Sequence, residues 1–290
     1  MSMKKSELIL NPDGSVYHLN LKPEHIAANI IFVGDQYRVD KISKHFDTIE
    51  FTTQKREFKT TTGTYKNNHF SIMSTGIGPD NIDIVMNELD ALVNIDLQTR
   101  KPKEKLTCLN IVRIGTSGSL QADIPVDSYI ISSHALDLNG MLHSYQIQEI
   151  ANPEIENAFV KHTNWSAKKA APILIGNHKE LENKLTSKDT FAGITATAGG
   201  FYGPQGRVLR LNLQDDDLNH KIDSFSYKDH RITNLEMETS AIYGLAKLLG
   251  HNACSISAIM ANRANGTFSK SPDKLMDNLI SYTLEKLVKI

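Results

Sequence analysis

Cysteine is close to absent: Cys108 and Cys254 are the only two in 290 residues, and both sit in apolar runs. So sparse a supply excludes a disulfide scaffold, predicts two core thiols and suits a reducing cytosol. Apolar runs of spanning length are missing too. Behind Lys4 and Lys5 comes only Leu8-Ile9-Leu10, too short for a signal h-region or a membrane span. Neither charge sign is in excess, since 32 basic residues face 33 acidic ones. That balance argues against a polyanion-coating surface, so nucleic acid is not an expected partner. Solenoid-period repeats and low-complexity tracts are absent. The one polar knot, Gln214-Asp215-Asp216-Asp217, is short and reads as a surface turn. What is left is ordinary globular composition, 40% hydrophobic and 22% charged. Residues 1–290 are expected to form one α/β domain in the cytoplasm.

Short β-like runs alternate with longer helical ones. Asn29-Ile30-Ile31-Phe32-Val33 is a buried strand ending at Gly34, and residues 35–46 follow with helical spacing. Thr64-Tyr65 and Phe70-Ser71-Ile72-Met73 flank a hairpin connection at residues 66–69. After Gly76-Ile77-Gly78, Pro79 suits a first helical position, and Ile82, Val85, Met86, Leu89, Leu92 and Val93 recur at helical spacing. Leu109 to Ile114 reads as a central strand running into a Gly115-Thr116-Ser117-Gly118 turn. A helix is expected over 235–249 and a strand over 253–261. The last helix opens with the cap pair Ser271-Pro272 and buries Leu275, Leu279, Tyr282 and Leu287. The pattern predicts three layers, α/β/α, around a central mixed sheet, with ligands at the carboxyl ends of strands.

Chemistry-bearing residues gather at those strand ends. Arg38 follows the Gly34 turn by about one helical turn. Arg113 lies inside an apolar strand, where a guanidinium without an anionic partner costs several kcal/mol. Two readings stay open for it: an internal salt bridge, or a fork aimed at a phosphate with Thr116 and turn N–H groups completing a cradle. A dinucleotide fingerprint beginning at Gly76-Ile77-Gly78 fails, because Asn81 stands where the third glycine belongs and Asp96 follows a helix. Thr233-x-x-Glu236 reads as a capping box, which leaves Glu238 the better acceptor for hydroxyl groups.

Eight motifs in register carry a resemblance. They are Val16-Tyr17-His18-Leu19, Gly34-Asp35-x-x-Arg38-Val39, Arg56-Glu57-Phe58, Ser74 to Gly78, Arg113 to Gly118, Phe201 to Arg207, Glu236 to Thr239, and Asn262-Arg263. In this order the chain resembles the nucleoside phosphorylase-I superfamily and, within it, the uridine phosphorylases. The resemblance implies reversible phosphorolysis of uridine to uracil and ribose 1-phosphate, with inorganic phosphate as co-substrate and neither a metal nor an organic cofactor. It implies phosphate binding by Gly34, Arg38, Arg56, Arg113 and Thr116. Ribose would meet His18, Met237 and Glu238; the base would meet Phe201, Gln205 and Arg207; and Arg263 would stabilise the leaving uracil. It also implies a homo-oligomer, a dimer or trimer of dimers, in which Arg56 and His18 serve a neighbouring subunit's site.

The sequence departs from the pattern in places. The base-reading loop is Phe-Tyr-Gly-Pro-Gln-Gly-Arg over 201–207, Ser15 replaces an acid, and Asn81 replaces a serine that helps some relatives bind a monovalent cation. Ser117 and Met260 bear on tolerance for deoxyribose, thymine and substituted uracils. Purine-cleaving relatives carry an aspartate where Arg263 stands, which sets purine nucleoside phosphorolysis as the alternative enzyme reading. The other alternative is a nucleoside-binding protein without catalysis, which the arginine trio disfavours.

Overall fold

The computed structural model describes residues 2–288. Strand β1 (Asn29–Val33) is a run of branched and aromatic residues buried from Ile30 onward, as a central parallel strand must be. Helix α1 (Gln36–Ser43) starts where the Asp35 carboxylate accepts the Arg38 N–H at 2.9 Å. It stops three residues short of the expected end. Strands β2 (Thr48–Lys55), β3 (Phe58–Tyr65) and β4 (Asn68–Ser74) form a meander. The β3–β4 turn is tighter than the expected 66–69. Lys66 and Asn67 both adopt left-handed φ, of 47° and 62°, so Asn68 already pairs with Tyr65.

Helix α2 (Pro79–Asn94) begins with Gly78 as its cap at φ 96° and buries the predicted apolar stripe except Val93, which is half-buried. Then follow β5 (Asn110–Ser119), β6 (Tyr129–Asp137), α3 (Pro153–Thr163), β7 (Ile173–Gly176), α4 (Lys179–Leu185) and β8 (Thr190–Thr197). The chain ends with α5 (Leu218–Asp223), β9 (Ser226–Tyr227), β10 (His230–Glu236), α6 (Thr239–Leu249), β11 (Asn252–Asn262), β12 (Thr267–Phe268) and α7 (Pro272–Leu287).

These strands make one mixed sheet, in the order β9-β10-β8-β6-β11-β5-β1-β4-β3-β2. Part of it closes on itself. Leu235 of β10 pairs back to Gly118 of β5, so β5, β11, β6, β8 and β10 form a ring from which β1 to β4 extend. One face packs α2 and α6 through Val85, Leu89, Ile242 and Leu245; the other packs α1, α4 and α7 through Val39, Leu185 and Leu279. Each such side chain contributes about 1.5–3 kcal/mol on leaving water.

Several expectations shift. Cys254 is buried, but Cys108 is exposed, because it lies in the connection before β5 rather than in it. Tyr282 and Leu287 are half-buried at the margin of α7. The stretch 115–118 is not a turn. It continues β5, paired with Ser257 through Ala261 of β11, because a neighbouring strand is there to take its hydrogen bonds. The helix expected over 235–249 starts only at Thr239, and residues up to Glu236 belong to β10, which pairs with β8 through Thr197.

Candidate active site

Arg113 is buried on β5, and its side chain lies back over Gly115: a Cβ there would stand 1.8 Å from Nη1. Only glycine leaves that path open. Nη2 meets Glu238 Oε2 at 2.5 Å and Glu236 Oε2 at 3.4 Å, and Nη1 reaches Ser257 Oγ at 3.4 Å. Burial pulls the guanidinium down, but Glu236 and Glu238 outweigh it, so Arg113 stays charged. Of the two readings of Arg113, the internal salt bridge is present.

The two glutamates are not equivalent. Glu236 accepts the N–H groups of Glu238 at 2.8 Å and Thr239 at 2.9 Å, and its other oxygen takes the Thr197 hydroxyl at 2.6 Å. It anchors the start of α6, a structural role as expected. The capping box with Thr233 does not form, because Thr233 is in β10 and donates to Ile194 O at 3.1 Å. Glu238 has one oxygen on Arg113 and the other on the Gly78 N–H at 2.8 Å. Its side chain takes no part in anchoring α6. Met237 lies between them, half-buried.

A second guanidinium joins Arg113. Arg38 is held by Asp35 at 3.1 Å and Ile114 O at 3.4 Å. Its pKa is lowered chiefly by burial, with the neighbouring Arg113 adding to it against the pull of Asp35. Strand β1 pairs with β5 only as far as Phe32 and Arg113, while β10 pairs from Gly118. Between them the backbone of 115–117 offers an open edge beside the Gly34 turn, where added bulk would meet nothing within 4 Å. The turn N–H cradle expected from the sequence is therefore replaced by a strand edge. Thr116 lies on that edge, half-buried, and strand alternation turns it to the face opposite Arg113.

Arg56 and His18 are not drawn into this group. Arg56 occupies the β2–β3 turn at φ 55°, its carbonyl accepting from Gln36 at 2.5 Å, and its exposed guanidinium has no partner among the described residues. His18 Nδ1 sits 2.7 Å from Glu88 of α2, which also takes the backbone N–H groups of His18 and Leu19.

A third cluster forms around residues 201–207. Arg207 stacks its guanidinium 3.8 Å from the Phe201 ring centre and donates to Gln205 Oε1 at 2.6 Å. Gln205 is buried. Arg263, just past β11, donates through Nη1 to Gln205 O at 2.8 Å and Asn219 Oδ1 at 3.1 Å, while its Nη2 is buried without a partner among the described residues. Burial, reinforced by Arg207, pushes Arg263 down to about 10. Beyond Arg207 opens a cavity of 810 Å³ walled by Leu138, Trp165, Tyr202, Leu209, Leu211 and Leu213. No motif marked Asn219, because its value lies in contacts across the fold. Asn81 donates to Ile77 O at 3.4 Å. Among the described residues, no group of three His, Cys, Asp or Glu could hold a metal ion, and no helix is long and apolar enough to cross a membrane.

The arrangement thus offers two guanidiniums at a strand edge, a carboxylate between them and a helix start, and an arginine-rich end with an open donor. The chain is similar to known proteins along most of its length. A uridine phosphorylase of Thermococcus kodakarensis is 29% identical over 265 residues, covering 90% of this chain and 83% of that one. A DeoD-type purine nucleoside phosphorylase of Listeria monocytogenes is 27% identical, covering 94% and 99%. Among solved structures, a Trypanosoma brucei nucleoside phosphorylase that shows uridine phosphorylase activity superposes with a TM-score of 0.87 at 28% identity, covering 98% and 100%. The sequence profile of the phosphorylase superfamily matches residues 29–288. The chain belongs to the phosphorylase superfamily and is, by that membership, an enzyme that cleaves its substrate with phosphate.

Proposed function

We propose that this enzyme is a uridine phosphorylase, converting uridine and inorganic phosphate to uracil and ribose 1-phosphate in pyrimidine salvage. The observation that carries the choice of base is Arg263. Its Nη2 is buried and unsatisfied, and a buried donor without an acceptor costs about 1–3 kcal/mol. An oxygen of a departing uracilate satisfies it; an acid in its place would serve a purine better.

Phosphate binds at the open edge of 115–117, between Arg38 and Arg113, with Gly34 beside it and the Thr116 hydroxyl reaching the edge from the opposite face. Met237 and Glu238 address the ribose, and Glu238 exchanges Arg113 for sugar hydroxyls as phosphate takes its place. Phe201 packs on the base, and Gln205 and Arg207 read its edge. The C1′–N1 bond breaks with its electron pair passing to uracil, while a phosphate oxygen bonds to C1′ through an oxocarbenium-like state. Catalysis is positioning and preorganised charge, on the order of 10 kcal/mol together. No cofactor is needed. Arg56 and His18 complete the site of a neighbouring subunit in a dimer or trimer of dimers. Their placement away from Arg113 in one chain, and the exposure of Arg56, support that reading.

One incubation tests the assignment. Uridine, thymidine, deoxyuridine and inosine are each mixed with the enzyme, with and without phosphate, and free base is measured. Uracil release from uridine that requires phosphate is expected. Inosine cleaved faster than uridine would reassign the enzyme to purines, and binding without any release would make it a nucleoside-binding protein.

A further inference from the structure

We infer that Asn219 is a positioning residue for bond cleavage: it orients Arg263 toward the leaving base while leaving that arginine's charge intact. The inference rests on the proposed uridine chemistry. Three observations carry it. First, Asn219 uses both ends of its amide on the base-side cluster: Oδ1 accepts from Arg263 Nη1 at 3.1 Å and Nδ2 donates to Gly206 O at 2.9 Å. The amide therefore ties the base-reading turn to the arginine that ends β11. Second, the fit is close. Gly206 has φ 66°, and a Cβ there would lie 2.5 Å from Nδ2, so the turn wraps directly over the amide. Third, Asn219 stands on firm ground. Its helix α5 is anchored by buried Leu218 and Ile222 in the cluster with Phe159, Phe225 and Ile232, while 206–217 is irregular and exposes Leu209 and Leu211.

The chemistry of the partner matters as much as its position. Arg113 is matched by two carboxylates, but Arg263 is held only by neutral oxygens, the Gln205 carbonyl and the Asn219 amide. Two donated bonds from one nitrogen fix the guanidinium plane, so Nη2 is aimed without being neutralised. A carboxylate at 219 would fix the same plane but cancel the charge that uracil requires. When the C1′–N1 bond breaks, its electron pair spreads over the uracil ring and oxygens, and Arg263 meets that charge only if its orientation is set beforehand.

The test compares leaving groups. Uridine and 5-fluorouridine are assayed with saturating phosphate, using the wild type, Asn219→Ala and Asn219→Asp. Fluorine makes the departing base more acidic and less dependent on help. For both variants kcat on uridine is expected to fall about tenfold or more with KM changing less than about threefold, while 5-fluorouridine loses about threefold or less. A merely structural role would lower both substrates equally, and equal losses, or losses confined to KM, would overturn the inference. If Asn219→Ala fails to fold, the nearly isosteric Asn219→Asp carries the same comparison. A wild type that releases no uracil from uridine with phosphate would instead bring down the uridine reading, a result separate from any seen in the variants.

Discussion

The Arg113 guanidinium lies 2.5 Å from the Glu238 carboxylate, and both are buried. The cation proposed to bind phosphate is already compensated within the fold. Leaving it bare would cost several kcal/mol, so the fold supplies an internal anion until an external one arrives. Glu238 is suited to this because Glu236, not Glu238, anchors the start of α6. In the proposed function phosphate and ribose are thereby linked: one takes Arg113, the other takes Glu238.

That linkage predicts the behaviour of Glu238→Gln. Phosphate alone should bind the variant more tightly than the wild type, by about three- to tenfold, because a competing charge is gone. Uridine turnover should fall at least a hundredfold, since the ribose loses its acceptor. Calorimetric titration with phosphate in the absence of nucleoside checks the first part. Weaker phosphate binding in the variant would contradict the exchange.

Gly115→Ala isolates the path of the Arg113 side chain. The added methyl would overlap Nη1, and the guanidinium must leave Glu238 to avoid it. Uridine kcat/KM is expected to drop about a hundredfold, with thermal stability lowered by several degrees as the two carboxylates lose their partner. Full activity in this variant would show that the position of Arg113 is not critical.

Sharing of sites between subunits is tested by mixing. Arg56→Ala and Arg113→Ala are expected to be nearly inactive as separate preparations. Subunits dissociated together and reassembled should recover activity, because some sites then contain both arginines. No recovery, or an active isolated monomer, would place Arg56 in its own chain's site.

His134 predicts a pH effect on stability far from the arginines. Burial, then His230 at 4.9 Å between ring centres and the Lys247 ammonium, lower its pKa to about 4; Lys179 adds to this and Glu182 opposes it. Unfolded histidine titrates near 6.5, so as pH falls below that value the unfolded chain takes up a proton that the native state refuses. The stability is complete above about pH 6.5 and is lost progressively down to about pH 4. Partial solvent screening reduces the effect to on the order of 1 kcal/mol, or about 2–4 °C. His134→Gln should flatten the fall in Tm over that window by this amount, and an unchanged slope would remove His134 as its source.

How much of this was legible in the sequence varies by feature. The α2 stripe and the β1 run were readable because each depends on neighbours within one or two turns of chain. Residues 115–118 misled, since two glycines among four residues signal a turn unless strands from 257–261 and 234–235 are waiting to pair with them. Glu236 was correctly given a structural role, but for the wrong partner. Its helix begins at Thr239, a boundary set when β10 found β8.

By itself the sequence determined the chemical inventory: arginines at strand ends, glycines beside them, two glutamates two residues apart, and no charge excess or span-length run. Tertiary structure alone decided who pairs with whom. It put Glu238 rather than solvent on Arg113, ran β5 on past the end of β1 so that its edge stays open, left Arg263 Nη2 without a partner among the described residues, and brought Asn219 to Arg263 Nη1 from 44 residues away. Propensity and spacing act over a few residues, whereas desolvation forces each buried charge to find its partner anywhere in the fold.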